Sequence, residues 1–240
     1  MSATIKSPTF WWLYFRVYDR LAGMSTNQRL LRESVSYLKV RRGGNYLDLG
    51  CGTGNSTREI ALAGGKVQGL DLSTEGLRRA RIKVPGATFT CANIDHNLAV
   101  KANSQDGVLA VNVLYLSSDP GKVFAEAFRV LKPGSRFVLS NPRRGAKISK
   151  ILMEDLRLEW DRLEAEYDLA TGIALQTMHT GIRLADFMAF LPFQLVLKGG
   201  SPHFEPVEFW RRLAVNTGFR IESCDPTLYG GQNDTLVLVK

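Results

Sequence analysis

The sequence predicts an α/β fold built on an open, mostly parallel sheet. Three observations carry that prediction. A short apolar strand, Tyr46 to Leu49, breaks into a turn with Gly50, Gly52 and Gly54 at every second position and then into a helix. Runs of strand length, Lys66 to Asp71 and Asp106 to Asn112, alternate with amphipathic stretches of helix length; the second run is nearly all apolar, as a strand covered on both faces requires. An acid, Asp71, closes the second strand about 20 residues beyond the glycines, at the strand end where such sheets take ligands.

In chain order, residues 10–23 put Phe10, Leu13, Tyr14, Val17 and Leu21 on one stripe of a helix. Three roles are open to it: packing on the domain, covering a ligand site, or lying at a membrane surface, which aromatic residues flanked by arginine suit. A second helix, about Asn27 to Leu38, carries Leu30, Leu31, Val35 and Leu38 into the first strand. The three glycines permit positive φ and let a ligand lie against bare backbone. The helix after them runs to about Ala63, where Gly64-Gly65 stops it. Ser73 caps the next helix, Thr74 to Lys83, whose Arg78, Arg79, Arg81 and Lys83 read as a solvated face. The third strand is about Ala87 to Cys91, and the fourth ends in Asn112-Val113-Leu114-Tyr115. Asp119-Pro120 is an N-cap followed by proline in the first turn, and Val123, Phe124, Ala127, Phe128 and Leu131 form the buried stripe of that helix. Lys132-Pro133-Gly134 ends it ahead of a fifth strand, Arg136 to Ser140. Pro206 opens a helix through Trp210 that Gly218 stops. Arg220 to Ser223 and Thr235 to Val239 are the last two strands, with Tyr229 to Asn233 as a rim loop between them.

A chain of 240 residues allows one large α/β domain or a domain carrying an insert. Cys51, Cys91 and Cys224 are odd in number and widely spaced, so neither a disulfide framework nor a metal site is expected and a reducing cytoplasm is the expected compartment. Cys51 reads as a small filler of the glycine turn. No uncharged apolar run approaches the roughly 20 residues of a membrane span, and Arg16, Asp19 and Arg20 interrupt the aromatic run 10–15, which argues against a signal peptide. The formal charge of +8 is concentrated: residues 1–42 hold eight basic residues against Asp19 and Glu33. Such a surface suits an acidic substrate, an anionic membrane or nucleic acid, or serves solubility alone.

The run Asp48-x-Gly50-x-Gly52-x-Gly54 resembles the first motif of the class I S-adenosylmethionine-dependent methyltransferases, D/E-x-G-x-G-x-G. The resemblance implies S-adenosylmethionine as cofactor, its methionine part cradled by the glycine turn and its amino group near Asp48, directly or through water. Asp71, followed by Leu72, is placed to accept the ribose hydroxyls. The same acid would fit a dinucleotide, against which the G-x-G-x-G spacing argues. In similar methyltransferases an Asp after the third strand meets the adenine amino group and the next residue offers its backbone; this chain has Asn93, whose amide oxygen can still accept, and Ile94. Small-molecule members often carry a Tyr-Asp pair on an N-terminal helix that closes over the cofactor, which Tyr18-Asp19 matches. Amino-group methyltransferases acting on adenine or glutamine carry Asn/Asp-Pro-Pro-Tyr/Phe where this chain has Asn112 to Tyr115; the missing prolines argue against nucleobase amine chemistry, while Asn112 and Tyr115 would still sit beside the transferring methyl. Phe128 to Gly134, followed by a strand, is similar to the quinone-type (UbiE-like, type 11) branch. The resemblance covers about residues 40–142.

From Gly145 to Pro206 the β-α-β rhythm stops. Ile148, Ile151, Leu152, Leu156, Trp160 and Leu163 form a helical stripe opposite an acidic face, and Leu184 to Leu197 is apolar nearly all round, with Pro192 breaking or kinking it. In resembling enzymes an insertion here forms a lid over the substrate, and its apolar character points to a greasy or aromatic one; a core extension or a dimer interface are the other readings. His179 and His203, in or beside the insert, are candidate bases, with Tyr115 the third candidate catalytic residue. The expected whole is a Rossmann-like, seven-stranded, mostly parallel sheet, its last strand antiparallel by resemblance. Residues 1–42 would be an N-terminal helical cap, 43–144 the cofactor-binding half, 145–206 the inserted helical lid and 207–240 the C-terminal helix and strands. The expected activity is methyl transfer to a small lipophilic or aromatic molecule, against the alternatives of a catalytically silent cofactor-binding partner and an RNA or protein methyltransferase. No nucleic-acid partner is expected; membrane contact through the aromatic helix and homodimerisation stay open.

Overall fold

The computed structural model describes residues 8–199 and 204–240. Seven strands, β1 (Asn45–Leu49), β2 (Lys66–Asp71), β3 (Thr88–Cys91), β4 (Gln105–Val111), β5 (Leu131–Pro142), β6 (Arg220–Asp225) and β7 (Asn233–Val239), form one sheet in the order β3-β2-β1-β4-β5-β7-β6. Every pairing from β3 across to β5 is parallel, and β7 lies antiparallel between β5 and β6, as the resemblance implied. The chain runs outward from β1 to β3 and returns to β4 on the other side of β1, so the strand order reverses between β1 and β4. Ligands of open α/β sheets bind at that switch point, beyond the carboxyl ends of the strands.

The helices are α1 (Pro8–Ala22), α2 (Ser25–Leu38), α3 (Asn55–Leu62), α4 (Thr74–Lys83), α5 (Pro120–Val130), α6 (Ile148–Glu166), α7 (Leu169–Gly199) and α8 (Val207–Thr217). Side chains alternate across the pleat, and both faces of the central strands are apolar. Leu47, Leu49, Val108, Ala110, Phe137, Leu139, Leu236 and Leu238 pack with Phe124 of α5 and Trp210 of α8. Tyr46, Leu109, Val138 and Val237 pack on the other side with Val35 and Leu38 of α2 and Ile60 of α3. Each large side chain buried this way contributes about 1.5–3 kcal/mol, which holds the strand ends of β1 and β4 as a rigid floor.

Three elements differ from the sequence reading. On α1, Leu13 is exposed and Phe15 takes its place in a buried cluster with Phe10 and Tyr14, because the helix packs over the strand ends on two sides rather than along one stripe. β5 begins at Leu131, which pairs with Gln105 ahead of the Lys132-Pro133-Gly134 turn, so Leu131 is a buried strand residue rather than the last turn of α5. On α6 the acidic face is not solvated throughout. Asp155 and Glu159 are buried, whereas Ile151, Leu152, Leu156 and Trp160 are half-buried. The reason is the start of α2, which has no side-chain cap of its own. Its first turn is capped across space: Thr26 N donates to Asp155 (3.1 Å), the Ser25 and Thr26 hydroxyls donate to Glu159 and Glu154, and Arg29 pairs with Glu154 at 2.7 Å. Carboxylates are favourable where a helix exposes its first N–H groups. α7 is continuous across Pro192; His203 and the side chains from Phe190 to the end of the 184–197 stretch lie outside the described residues.

Candidate active site

β1 delivers the chain into the glycine turn with Gly50 at φ +68°, and a Cβ there would stand 2.2 Å from the Val113 side chain. Only glycine fits so close an approach. The turn is pinned to β2: Gly50 N and Cys51 N both donate to Leu70 O (2.8 and 3.0 Å), and Gly52 N donates to Asp71 Oδ2 at 2.8 Å. The other Asp71 oxygen accepts from Ser73 N at 2.7 Å, so backbone amides fix both carboxylate oxygens. Burial raises the Asp71 carboxyl above its ordinary range against the opposing pull of those amides.

Asp48 is more deeply placed than its motif position implied. It is 1% exposed, lies under the turn, and accepts the hydroxyls of Ser56 (2.7 Å) and Thr57 (2.6 Å) on Oδ2, while Oδ1 has no partner. Burial pushes its carboxyl up to about 6, against those hydrogen bonds. Ser56 lines the adjoining cavity and Asp48 does not, so any influence of the carboxylate on a ligand passes through the turn and Ser56. Burial likewise pushes the Cys51 thiol up, in keeping with a filler role.

Two cavities meet above this floor. The first, of about 320 Å³, brings together Gly50, Gly52, Asp71, Leu72, Asn93, Ile94, Asn112, Tyr18 and Tyr115 from the sequence set, with Phe15 and Ser56. Asn93 Oδ1 already accepts from Asp95 N (3.0 Å) in a local turn, which fixes the amide. The second, of about 240 Å³, lies toward α6 and is lined by Leu21, Met24, Ile148, Ile151, Leu152 and Phe204, with Arg143, Tyr229, Gln232 and Asn233 as polar groups. Tyr14, Tyr18, Asn27, Asn112 and Tyr115 belong to both and form the wall between them. Asn112 takes a left-handed φ of +53° at the end of β4, and its Oδ1 accepts from Asn233 Nδ2 at 2.7 Å; that same amide nitrogen lies 3.0 Å from Ser140 Oγ. Tyr115 stacks on Phe204 with centroids 5.2 Å apart. Burial pushes the Tyr115 hydroxyl up to about 12 and raises those of Tyr14, Tyr18 and Tyr229, so the tyrosines of the wall stay protonated donors at neutral pH.

α1 is fastened over the first cavity by Asp19. Thr53 Oγ1 donates to it at 2.6 Å, and Arg79 (3.2 Å) and Lys83 (3.3 Å) of α4 pair with it. Arg79 also donates to Phe15 O at 3.1 Å. Arg79 and Lys83 are thus part of a clamp and not of a solvated face. His179 is not brought to either cavity: it faces Glu159 of α6, with Nδ1 3.6 Å from Oε2, because its side of α7 packs on α6.

Asn27, Tyr229, Asn233 and Phe204 escaped the sequence reading. Asn27 and Asn233 sit at element ends with no motif around them. The Tyr229-Gly230-Gly231 run did carry a signal, since the positive φ of all three (58°, 66° and 66°) is what folds Tyr229 into the second cavity.

Residues 47–139 match the model of the methyltransferase domain family. In this stretch the chain is similar to the S-adenosylmethionine-dependent methyltransferases. The match spans the glycine turn, Asp71, Asn93 and Asn112. Among the relatives, the methyltransferase phqN of Penicillium fellutanum is 30% identical over 135 residues, 51% of this chain and 41% of the relative. A demethylmenaquinone methyltransferase of Tropheryma whipplei is 38% identical over 119 residues, 47% of this chain and 49% of the relative. The chain thus spans half or less of the length of these curated relatives. The structure of magnesium protoporphyrin IX methyltransferase from Synechocystis with bound S-adenosylmethionine superposes with a TM-score of 0.62, covering 94% of this chain and 90% of that one. At 15% identity this last likeness concerns the fold of the methyltransferase domain and its helical additions.

Proposed function

We propose that the chain transfers the methyl group of S-adenosylmethionine to a small lipophilic or aromatic acceptor. The pair of cavities with a common wall carries the proposal: one is built on the glycine turn and Asp71, the other on apolar side chains of α1 and α6. The first fits the cofactor. It has the glycine-turn backbone at Gly50 and Gly52 for the methionine part, a fixed carboxylate at Asp71 for the ribose hydroxyls, and Leu72, Asn93 and Ile94 for a flat base, with Tyr18 above. When bound, S-adenosylmethionine supplies an electrophilic methyl on its sulfonium sulfur.

The chain's own part is to bind, align and dry. Asn112, held by Asn233, and the Tyr115 hydroxyl are donors on the shared wall that orient an acceptor toward the first cavity. Tyr14 and Phe15 exclude water from above. In-line alignment in a dry site accounts for most of what such a transfer requires. Among the described residues lining the second cavity, the tyrosines and Arg143 are the only ionisable groups. What this described lining offers an acceptor is orientation and dehydration, with the start of α6 (Ile148, Ile151, Leu152) and Phe204 as its cover. The relative named for demethylmenaquinone is in line with a lipophilic acceptor.

The test is to incubate the purified protein with methyl-labelled S-adenosylmethionine and a metabolite extract, then separate organic, aqueous and macromolecular fractions. Label in the organic fraction is expected. Label confined to RNA or protein would sink the reading.

A further inference from the structure

α7 is turned inside out. Between Leu169 and Ala189 its charged residues are Arg183 and Asp186, and its one imidazole is His179. All three face the protein: Arg183 Nε lies 3.3 Å from Asp155, Asp186 pairs with Arg20 of α1 at 3.4 Å, and His179 meets Glu159. Six apolar residues with described side chains face outward instead. Of the 14 large hydrophobic side chains exposed among the described residues, six lie on α7: Leu169 (70%), Ile173, Met178, Ile182, Leu184 and Met188 (59%). At 100° per residue they cover an arc of roughly 220°, more than half the helix. A soluble surface helix has the reverse arrangement. A contiguous apolar face of this kind marks a contact with another apolar phase.

We propose that the outer face of α7, in the half around Ile182, Leu184 and Met188, docks together with α1 onto an anionic lipid bilayer. Charge selects this occupant over a second copy of the chain. α1 packs beside this half of α7 and presents Trp12 (43% exposed) and Leu13 (45%) next to Arg16 and Arg20. The Arg16 guanidinium sits 4.6 Å over the Trp12 ring. Tryptophan with arginine is the composition of an interfacial helix, and basic residues are drawn to an anionic surface. A two-fold dimer through the same face would bring two copies of Arg16 and Arg20 together, at a cost in like-charge repulsion. The exposed acids Asp161, Glu164 and Glu166 lie at the opposite, hairpin end of α6 and α7, so the docking edge is the α1 end. No helix among the described residues is long and apolar enough to cross a membrane, so the contact lies in the interface plane. This goes beyond the proposed reaction and does not depend on its acceptor.

The test is flotation with vesicles of phosphatidylcholine alone and of phosphatidylcholine with 30% phosphatidylglycerol (about 30%, chosen to exceed the charge of ordinary cytoplasmic leaflets). The wild-type chain should float with the anionic vesicles, less so as salt is raised. I182E/L184E should lower the partition at least tenfold, and R16E should lower it on anionic vesicles only. Leu169→Glu, at the acidic hairpin end, should leave it unchanged. Calorimetry with S-adenosylhomocysteine checks that each variant is folded, since none of these residues lines either cavity. Failure of the wild type to float, or flotation unaffected by I182E/L184E, overturns the proposal while leaving the methyl-transfer reading intact. A vesicle-free dimer that I182E/L184E converts to monomer overturns it in favour of a second copy.

Discussion

Asp48→Asn isolates the buried carboxylate beneath the glycine turn. Burial raises this group from 3.8 to about 6, which corresponds to a burden on the native state of about 3 kcal/mol once it is ionised. The sign follows from the raised value. Well below 3.8 the carboxyl is neutral both folded and unfolded, and its burial costs least. As pH rises through 6 the native state must give up a proton that the unfolded chain lost earlier, so stability falls across pH 4–6 and stays low above. In Asp48→Asn the amide oxygen can still accept from Ser56 and Thr57, and the amide nitrogen replaces an oxygen that already lacks a partner. The variant should therefore match the wild type near pH 4 and exceed it by about 1–3 kcal/mol at pH 7.5. Urea unfolding of both proteins at half-unit intervals from pH 4 to 8 measures the difference. A stability difference that does not change with pH would refute the assignment. Saturating S-adenosylhomocysteine stabilises both proteins by mass action and should narrow the gap only by as much as the variant binds it more weakly.

The remaining predictions separate the parts of the site. Asp71→Asn should weaken S-adenosylhomocysteine about tenfold or more by calorimetry, the loss of a charged acceptor being worth about 1.5–3 kcal/mol. Asp19→Ala unfastens α1 from Thr53, Arg79 and Lys83; hydrogen exchange in α1 should speed up and S-adenosylhomocysteine should dissociate several-fold faster in stopped flow. Asn233→Ala leaves Asn112 unsupported and should lower kcat/KM about tenfold, or about 1.4 kcal/mol, at little change in cofactor affinity. A purely structural role would instead shift Tm alone. Leu152→Trp fills the second cavity, so KM for a bulky acceptor should rise while calorimetry of the first cavity stays unchanged.

The sheet was legible because its signals are local. Period-two and continuous apolar runs mark strands, and glycine, Asp119-Pro120 and Gly218 mark their joins, so the sequence and the structure agree from β1 to α5 within a residue or two at most ends. The floor of the first cavity was legible for the same reason: Gly50, Gly52 and Asp71 are set by a turn whose geometry admits few residues, whereas Asp48 and Gly54 of the same motif do not line it. What could not be read is what depends on packing between distant segments. Asp155 and Glu159 read only as members of an acidic face, because the sequence does not reveal that α2 starts against them without a cap. Arg79 and Lys83 looked solvated because their partner, Asp19, is about 60 residues away. Asn233 lies 121 residues from Asn112, and no pattern at either end announces the pair. His179 looked catalytic only because a titratable ring in an apolar insert stands out when its neighbour Glu159 cannot be seen.

Tyr14 and Tyr18 sit on the one helix that Asp19 ties down, and each faces both cavities. Under the proposed reaction, a donor in the first cavity and an acceptor in the second would both rest against these two tyrosines. Loosening the Asp19 tie would then disturb both seats at once, and a molecule wedged against α1 would interfere with both ligands without resembling either.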